Sequence, residues 1–398
     1  MKARWKTEPL GNLCMFQRGL TYAKRDEVEI SKNVVLRATN IDLRTNLLDF
    51  TELRFINDKV VVPDNRKVKK GSLMICTASG SKSHLGKVAY IDEDYGYAFG
   101  GFMGMITPTS ELVPKYLFYL MTSEAYKDFI GELSDGANIN NLKFDDLKKF
   151  QVPHPGPDEQ QRIVAILDEA FEGFAKAKAN TEKNLQNARA FFESHLQSVF
   201  TQRGKGWVER KLSELCSITS TLVDPRKDEF SGLIHVGAGN IESQTGEFVD
   251  LKTAQEEGLI SGKFLFDDSM VLYSKIRPYL MKVARPDFGG LCSADIYPLA
   301  PLPNQITRDY LFHLLLSKPF TEYAIQGSAR AGMPKVNREH LFEFRTWLPA
   351  LKKQEELAKE LDSLHEETQC LEGVYQQKLV ALDELKKSLL YQAFTGNL

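Results

Sequence analysis

The sequence predicts an α+β fold in which two similar globular α/β domains alternate with two long helices, as an internal pseudo-twofold repeat. The first observation is that residues 160–168, QQRIVAILD, return 194 positions later as residues 354–362, QEELAKELD. The second is that a proline-marked loop precedes each copy and a long run without proline follows it. The third is that the offset holds to the end of both runs, where Phe200 becomes Phe394. Self-similarity at one fixed offset indicates a duplicated architecture.

The repeat divides the chain into four parts. We expect the first globular domain at residues 1–153 and the first long helix at residues 154–203. The second globular domain is expected at residues 204–350, and the second long helix at residues 351–398. The length of 398 residues agrees with this division, because single domains usually hold roughly 50–200 residues.

Both proline-free runs are predicted to be helices with a coiled-coil seam, because their apolar residues recur in alternating steps of four and three. In the second run the stripe consists of Leu357, Leu361, Leu364, Leu371, Tyr375, Leu382, Leu385 and Leu389, with Thr368 and Lys378 at the remaining positions. In the first run it consists of Ile163, Leu167, Ala170, Phe174, Ala177, Thr181, Ala188 and Phe191. A helix of about forty residues is about 60 Å long, so we expect these helices to pack on each other or on a partner protein.

Apolar runs predict the strands of the first globular domain. They lie at residues 34–41, 72–77 and 87–91, and a helix is expected to begin after Pro114. Residues 78–86 are rich in glycine and serine and are predicted to form a loop.

The second domain repeats this order with different loops. Its strands are expected at residues 235–241, 269–274 and 282–284, and its helix near Tyr310. The loop at residues 275–280, KIRPYL, bears no likeness to its counterpart in the first domain. Because loops on a common framework usually carry binding, the sequence predicts one scaffold with two different recognition surfaces.

Composition excludes several classes of protein. The chain has 51 basic and 53 acidic residues, and it contains no apolar run long enough to span a membrane. The charged beginning is not followed by an apolar stretch, so we expect no secretory signal, no membrane partner and a cytoplasmic location. Five cysteines without a Cys-x-x-Cys pair favour reduced thiols over a zinc site, and Cys14 and Cys216 fall at matching points that predict a shared core position.

Catalytic motifs are missing. Residues 80–88 resemble a phosphate-binding loop, but five residues separate the glycines, and Val88 stands where magnesium binding requires serine or threonine. Residues 99–104 lack the spacing of a dinucleotide fingerprint. The seven histidines have no metal-ligand spacing, and the tetrapeptide of amino-methyltransferases is absent from the sequence. We therefore expect a non-catalytic chain without a cofactor or metal of its own.

Polar loop residues are the candidates for binding nucleic acid, because Arg, Lys, Asn and hydroxyl side chains match base edges and phosphates. In the first domain they are Thr77, Ser79, Ser81, Lys82, Ser83, His84 and Lys87, with Arg37, Asn40, Asn138, Asn140, Asn141 and Lys143 as expected neighbours. In the second they are His235, Tyr273, Ser274, Lys275, Arg277, Tyr279 and Lys282, with Asn240, Arg330, Lys335, Asn337 and Arg338. Any single member is more often a solvated loop residue than a base contact, so the hypothesis rests on the set.

Three segments give the chain a family resemblance. They are residues 157–168, PDEQQRIVAILD, residues 332–337, GMPKVN, and residues 389–398, LLYQAFTGNL. With the alternation of domains and helices, they resemble the DNA-specificity subunit of type I restriction-modification systems over essentially the whole chain. The chain departs from the family pattern at residues 136–141, which lack Pro-Lys, and at residues 351–354, a looser form of the second helix entry.

The resemblance implies a division of labour. Each globular domain would be a target-recognition domain that reads half of a split double-stranded DNA site, and the helices would lie antiparallel and fix the gap. Two methyltransferase subunits would carry S-adenosylmethionine and methylate adenine, and restriction/translocase subunits would use ATP and Mg. None of this chemistry would reside in the present chain.

Two alternatives from other classes remain open on the sequence. One is a self-contained DNA modification enzyme, against which the missing methyltransferase and nuclease motifs count. The other is a coiled-coil adaptor that never contacts DNA.

Overall fold

The chain folds as two compact units. The structure, a computed structural model, describes residues 5–81, 84–135, 141–219, 221–328 and 334–398. Unit 1 comprises Met1–Thr181 and Gln377–Leu398, and unit 2 comprises Glu182–Gln376. Each unit therefore combines one globular domain with the beginning of one long helix and the end of the other.

The globular part of unit 1 contains three small sheets. Its strands are β1 (Lys6–Pro9), β2 (Cys14–Arg18), β3 (Glu27–Val28), β4 (Asn33–Leu36), β5 (Arg54–Ile56), β6 (Leu73–Cys76), β7 (Val88–Tyr90), β8 (Ala98–Phe99), β9 (Met103–Pro108) and β10 (Gln151–His154). One antiparallel sheet has the order β2-β9-β6-β7, and a second has the order β3-β5-β4-β8, in which β4 and β8 are parallel. Strands β1 and β10 pair with each other.

Among the described residues of unit 1, five α-helices begin. They are α1 (Leu10–Leu13), α2 (Pro114–Leu120), α3 (Glu124–Asp135), α4 (Phe144–Leu147) and α5 (Pro157–Thr201), and short 3-10 helices lie at Lys24–Asp26, Ala38–Asn40 and Asp64–Arg66. Proline at the first position of α2 suits a helix start, where a backbone N–H has no intrahelical partner. The main core includes Ile75 of β6, Leu117 of α2 and Ile163 of α5.

Unit 2 repeats the architecture. Its strands are β11 (Val208–Lys211), β12 (Cys216–Ser217), β13 (Leu222–Val223), β14 (Ile234–Val236), β15 (Lys252–Thr253), β16 (Lys263–Phe266), β17 (Val271–Ser274), β18 (Val283–Ala284), β19 (Gly290–Cys292), β20 (Ile296–Pro301) and β21 (Arg345–Leu348). The sheet β12-β20-β17-β18 corresponds to β2-β9-β6-β7, and the parallel pair β14–β19 corresponds to β4–β8. The fifth strand, β15, extends the sheet β13-β16-β19-β14-β15.

The helices of unit 2 complete the repeat. They are α6 (Asp228–Ser231), α7 (Arg308–Leu316), α8 (Lys318–Gln326), α9 (Arg338–Glu343) and α10 (Leu351–Phe394), with 3-10 helices at Leu212–Glu214, Ala238–Asn240 and Pro278–Leu280. Leu196 of α5 and Leu361 of α10 belong to the main core of unit 2, whereas Leu390 of α10 belongs to that of unit 1. The predicted α+β class with two long helices is confirmed.

The seam of the long helices differs in part from the predicted stripe. In α10 the buried or half-buried heptad positions are Gln354, Ala358, Leu361, His365, Thr368, Glu372, Tyr375, Leu379, Leu382, Lys386, Leu389 and Ala393. The positions 194 residues earlier in α5 are also buried or half-buried: Gln160, Val164, Leu167, Phe171, Phe174, Lys178, Thr181, Leu185, Ala188, Phe192, His195 and Val199. The repeat therefore extends to every heptad of the two helices.

In both helices every second member of the predicted stripe lies one residue before the seam. Ile163, Ala170, Ala177, Leu357 and Leu364 are nevertheless buried or half-buried, so the predicted residue is exposed only at Phe191, Leu371, Lys378 and Leu385. Leu371, Leu385 and Phe191 are 44%, 52% and 64% exposed. The prediction followed apolar residue types, but the seam accepts polar side chains that find partners. Lys386, for example, lies over the ring of Phe171.

Within each unit the helix segments are antiparallel, as the family resemblance implied. In unit 1, Arg162 donates to the Leu398 carbonyl at 3.0 Å, and Lys178 pairs with Asp383 at 3.1 Å. As the residue number increases along α5, the number of the residue that it contacts at the end of the chain decreases. The two segments therefore run antiparallel.

The same direction holds in unit 2. Arg189 pairs with Glu372 at 2.8 Å, and His195 contacts Glu360 at 3.0 Å. The seam prediction therefore had the correct period and the correct helices.

One glutamine joins each long helix to its domain. Gln160 is fully buried, and its Oε1 accepts a hydrogen bond from the Val113 N–H at 2.8 Å. Its Nε2 donates to the carbonyls of Glu111 and Pro155 at 3.0 and 2.9 Å. All three groups lie in backbone outside regular structure, so the side chain satisfies groups that would otherwise be buried without partners.

Gln354 makes the equivalent three bonds in unit 2. It accepts from the Thr307 N–H at 3.0 Å and donates to the carbonyls of Gln305 and Pro349 at 3.2 and 3.0 Å. In both units, therefore, the glutamine that begins the repeated motif joins the long helix to its globular domain through three hydrogen bonds.

An aspartate two turns further along each helix makes a second joint. Asp168 accepts from Lys115 at 2.7 Å and from the hydroxyl of Tyr119. Asp362 accepts from both Arg285 and His313, each at 2.8 Å.

Burial opposes ionisation of Asp362, but the hydrogen bonds from His313 and Arg285 outweigh it and hold the pKa of this carboxyl below its ordinary value. Burial also lowers the pKa of His313. The joint in unit 2 therefore contains a carboxylate held by an arginine, and the chemistry of the two joints differs although their geometry is shared.

Candidate nucleic-acid interface

In each unit the predicted binding loop lies against the segment predicted to be its neighbour. In unit 1, Ala78 and Asn141 form an isolated antiparallel bridge, and Leu142 N–H donates to the Thr77 carbonyl at 2.6 Å. This junction follows the end of β6 and brings the serine-rich loop beside Asn141 and Lys143.

Unit 2 contains the same junction at the end of β17. Ile276 and Lys335 form the bridge, and Val336 N–H donates to the Lys275 carbonyl at 2.8 Å. Arg277 N–H also donates to the Pro334 carbonyl at 2.9 Å. The backbone of the junction is thus repeated, while its side chains are different.

A cleft of about 900 Å³ opens next to the junction of unit 1. Its lining includes Arg37 and Ser79, which the sequence predicts, and Lys24, Arg54 and Phe102, which it does not. All three cations are exposed, whereas the lining carboxylate of Glu27 is half-buried. A concave, positively charged surface with hydroxyl and aromatic groups can hold both phosphates and base edges.

Sequence reasoning missed Lys24, Arg54 and Phe102 because they lie far from the serine-rich loop along the chain. Arg54 is the first residue of β5, and Lys24 begins a short 3-10 helix. The pairing of β5 with β4, the strand that precedes Arg37, brings these cations to one cleft. The sequence does contain one indication of Phe102: the adjacent Gly100 and Gly101 mark a turn, and Phe102 follows them directly.

The corresponding surface of unit 2 is a cluster of cations. Lys275 and Lys335 lie 3.8 and 3.5 Å from the same carboxylate oxygen of Asp295. The ring of Tyr297 has Lys275 Nζ at 5.1 Å and Arg338 Cζ at 5.9 Å from its centroid. Two of the cations therefore contact the carboxylate and two contact the aromatic ring, and Lys275 contacts both.

Electrostatic repulsion within this cluster favours the arrival of an anion. Burial lowers the pKa of Lys275, and the neighbouring charges of Lys335 and Arg338 lower it further, with Asp295 acting in the opposite direction. A bound phosphate would reduce that repulsion, so the cluster suits the backbone of a nucleic acid.

Arg277 and Tyr279 are presented outward by an unusual turn. Arg277 and Met281 have φ values of 50° and 49°, on either side of the 3-10 helix Pro278–Leu280. Residues other than glycine adopt this left-handed conformation infrequently. Arg277 is exposed and Tyr279 is 52% exposed, so both are available for contact.

Asn40 and Asn240 hold turns and are not exposed reading residues. Asn40 is 1% exposed; its Oδ1 accepts from Arg37 N–H at 2.8 Å, and its Nδ2 donates to the Asp49 carbonyl at 2.8 Å. Asn240 Oδ1 accepts from Gly237 N–H at 2.9 Å. The hydrogen-bonding groups of both amides are used within the turn, and base contact stays a prediction for them.

Lys87 and Lys282 also have a structural role. Lys87 Nζ donates to the Ile41 carbonyl at 2.9 Å, and Lys282 Nζ donates to the Ala238 carbonyl at 2.6 Å. Burial lowers the pKa of Lys87. Both half-buried lysines therefore tie a strand to the turn after β4 or β14, and contact with DNA stays a prediction for them.

Three further predicted contacts face the interior. Tyr273 and Ser274 are each 2% exposed, and Thr77 is 8% exposed. They lie on or directly after the central strands β17 and β6, whose residues are buried throughout. Their polar groups are therefore not available to DNA.

His235 and Asn337 are engaged inside unit 2. His235 is 6% exposed and its Nδ1 lies 2.9 Å from Glu257 Oε2. Burial lowers the pKa of His235, although the Glu257 carboxylate opposes this shift. Asn337 caps α9 by accepting from His340 N–H at 2.7 Å. Both side chains therefore have structural partners within unit 2, and DNA contact stays a prediction for them.

The other predicted contacts fall into two groups. Exposed or half-buried positions are Arg37, Ser79, Ser81, His84, Asn141, Lys143, Lys275, Arg277, Tyr279, Lys335 and Arg338. Lys82, Ser83, Asn138, Asn140 and Arg330 lie outside the described residues.

Within the described ranges, no group of three His, Cys, Asp or Glu side chains could hold a metal ion. None of the helices described is both long enough and apolar enough to cross a membrane.

Comparison with known proteins identifies the family. The model of the type I restriction modification DNA specificity domain matches residues 2–186 and again residues 204–378. The type I restriction enzyme EcoDI specificity subunit of Escherichia coli is 28% identical, over 71% of this chain and 70% of that protein. The EcoKI specificity subunit of Escherichia coli strain K12 is 23% identical, over 99% of this chain and 89% of that protein.

Solved structures share the fold. A chain from a study of complex assembly and conformational transition of the type I R-M system has a TM-score of 0.78 at 17% identity. That match covers 100% of this chain and 99% of the other. The HsdS subunit from Thermoanaerobacter tengcongensis has a TM-score of 0.65 at 17% identity, covering 100% and 98%.

The two family matches fall on the two halves of the sequence repeat and together span most of the chain. The protein therefore belongs to the type I restriction-modification DNA specificity family and is a non-catalytic recognition subunit of such a system.

Proposed function

We propose that this specificity subunit binds a split site on double-stranded DNA, with each globular domain contacting one half. The observation that carries the proposal is the junction after β6 and β17, which has the same backbone pairing in both units but different side chains. Two domains that recognise different DNA sequences can share one backbone framework, but they need different side chains at the binding surface.

The chemistry of each surface supports a different half-site. The unit 1 cleft offers Arg37, Arg54 and Phe102, which suit guanine edges and apolar base faces. The unit 2 cluster offers Lys275, Lys335 and Arg338, which suit phosphates and guanine.

We further propose that the two long helices set the gap between half-sites. Their repeated heptad positions give each helix a regular packing seam. On one face of B-DNA, equivalent positions recur about every 34 Å, which is within the reach of helices about 60 Å long.

The proposed partners carry the chemistry. The repeat offers two similar surfaces, which suits two copies of a methyltransferase subunit that uses S-adenosylmethionine to methylate adenine. Restriction/translocase subunits using ATP and Mg would complete the enzyme, in the cytoplasm and away from membranes. The relatives are described as subunits of type I restriction enzymes, which supports this assembly.

Two alternatives have less support. A self-contained modification enzyme would need catalytic motifs that the sequence lacks, and the family match is to a specificity domain. A coiled-coil adaptor without DNA binding would leave the cation cluster of unit 2 without a role.

Selection from a randomised duplex pool tests the proposal. The full chain in its assembled complex should enrich two defined half-sites separated by a gap of fixed length and unspecified sequence. Enrichment of a single continuous site, or of no sequence, would contradict it.

Lys335→Ala provides a second test. Because a phosphate contact contributes equally to all sequences, affinity should fall uniformly, and the slope of log K against log salt should become shallower by about one unit. Lys359→Ala, which removes an exposed lysine of α10, is the matched control and should leave the slope unchanged. A slope unchanged by Lys335→Ala would remove this lysine from the phosphate contacts.

A further inference from the structure

We propose that Phe102 is a base-contacting residue of unit 1, and that the matching backbone position of unit 2, Asp295, offers no aromatic ring to its half-site. The ring would lie against the apolar face or methyl group of a base in one half-site. This inference rests on the proposed function, because it presumes that the unit 1 cleft binds duplex DNA.

The backbone of Phe102 is held in place while its side chain is exposed. Its carbonyl accepts three hydrogen bonds: from Thr77 N–H at 2.9 Å, from Thr77 Oγ1 at 2.9 Å and from Ala78 N–H at 3.1 Å. The side chain is nevertheless 73% exposed. A ring presented by a fixed backbone loses little conformational freedom on binding, which favours contact.

The surroundings of the ring favour a nucleic acid. Phe102 shares its cleft with Lys24, Arg37 and Arg54, all exposed. Cations at these positions can bind phosphates on either side of a base, and aromatic side chains contact thymine methyl groups or base faces. An isolated exposed phenylalanine would need no explanation, but one set among three cations in a cleft matches this ligand.

The same backbone position in unit 2 carries a carboxylate. Thr77 N–H donates to the Phe102 carbonyl, and Lys275 N–H donates in the same way to the Asp295 carbonyl, at 3.0 Å. The Asp295 side chain is within 4 Å of both Lys275 and Lys335. The two domains thus differ at this position in size, polarity and charge, so an apolar base contact is expected in one half-site only.

Pool selection with Phe102→Ala tests the inference. In the full chain within its complex, we expect discrimination to fall by roughly tenfold at one or two adjacent positions of one half-site, since a single base-pair mismatch costs roughly five- to 150-fold. The other half-site, the gap and the salt slope should not change, because the ring carries no charge. Phe102→Tyr, which keeps the ring, should retain the preference.

Ile30→Ala is the matched control, because Ile30 is an 82% exposed apolar residue of the same unit outside the cleft. It should leave the selected sequences unchanged. A selection profile with Phe102→Ala that equals the wild-type profile would overturn the inference, and so would an equal loss in both half-sites. If the wild-type chain enriches no sequence, the proposed function itself fails, which is a different result.

Discussion

At the scale of single residues, the repeat is defined by side chains that bond to backbone. Gln160 and Gln354 are 194 residues apart and make the same three hydrogen bonds to loops of their own domains. The sequence shows the recurrence of this glutamine, but it does not show its partners. In each unit two of the three partners lie more than forty residues earlier in the chain, and the third lies five residues earlier. All of them are backbone groups, so their residue types do not identify them.

Gln160→Ala should destabilise unit 1 by about 3 kcal/mol, because it leaves buried backbone groups without partners. Hydrogen exchange followed by mass spectrometry can read the two units separately. We expect faster exchange in peptides of unit 1 and no change in those of unit 2. Gln161→Ala, at an exposed neighbouring position, should have no effect; equal protection in both variants would show that the glutamine joint contributes nothing.

Single residues are also where prediction of the site was weakest. The loops were identified correctly as neighbours, since Ala78 bridges Asn141 and Ile276 bridges Lys335. Asparagine, lysine and hydroxyl side chains, however, serve turns as well as bases. Asn40 and Lys87, which the sequence offers as contacts, both hydrogen-bond to turn backbone in the structure.

At the scale of elements, the long helices and the apolar strands could be predicted and the central strand β9 could not. The strand expected at residues 269–274 is present as β17 (Val271–Ser274). Strand β9 lies between β2 and β6, yet Gly104 and the glycines before it are typical of a turn. Its strand character comes from pairing on both sides, which is a tertiary effect.

The helix seam shows the same limit. Residue type alone favoured Phe191 and Leu371, whereas packing selects Phe192 and Glu372. The four–three spacing of the seam was predicted correctly because the heptad repeat is a local property of the sequence. The exact residues of the seam were partly wrong because they depend on the facing helix.

Phe192→Ala and Phe191→Ala form a matched pair that tests the seam. Phe192 packs against the core of unit 2, and its ring centroid lies 5.0 Å from that of His365. Its loss should lower the free energy of unfolding of unit 2 by about 2 kcal/mol, because the ring is half-buried. Loss of the exposed Phe191 should change stability by less than about 0.5 kcal/mol. Denaturant unfolding that ranks the two variants in the opposite order would contradict the observed phase.

At the scale of the whole molecule, one architecture occurs twice with different chemistry. The family match covers both halves, and each unit assembles its domain with the beginning of one helix and the end of the other. Each globular domain therefore packs with segments of both long helices, α5 and α10. The antiparallel arrangement was implied by the family resemblance, whereas the side chains that distinguish the two binding surfaces became known only from the fold.

The proposed function requires that the long helices hold the two recognition domains at a fixed distance. Removing one heptad from each helix, at residues 181–187 and at the equivalent residues 375–381, should shorten the helical spacer by about 10 Å. Pool selection with this variant is the most direct measurement. Both half-sites should remain, separated by a gap shorter by roughly three base pairs. Retention of both half-sites with the wild-type gap would contradict the account.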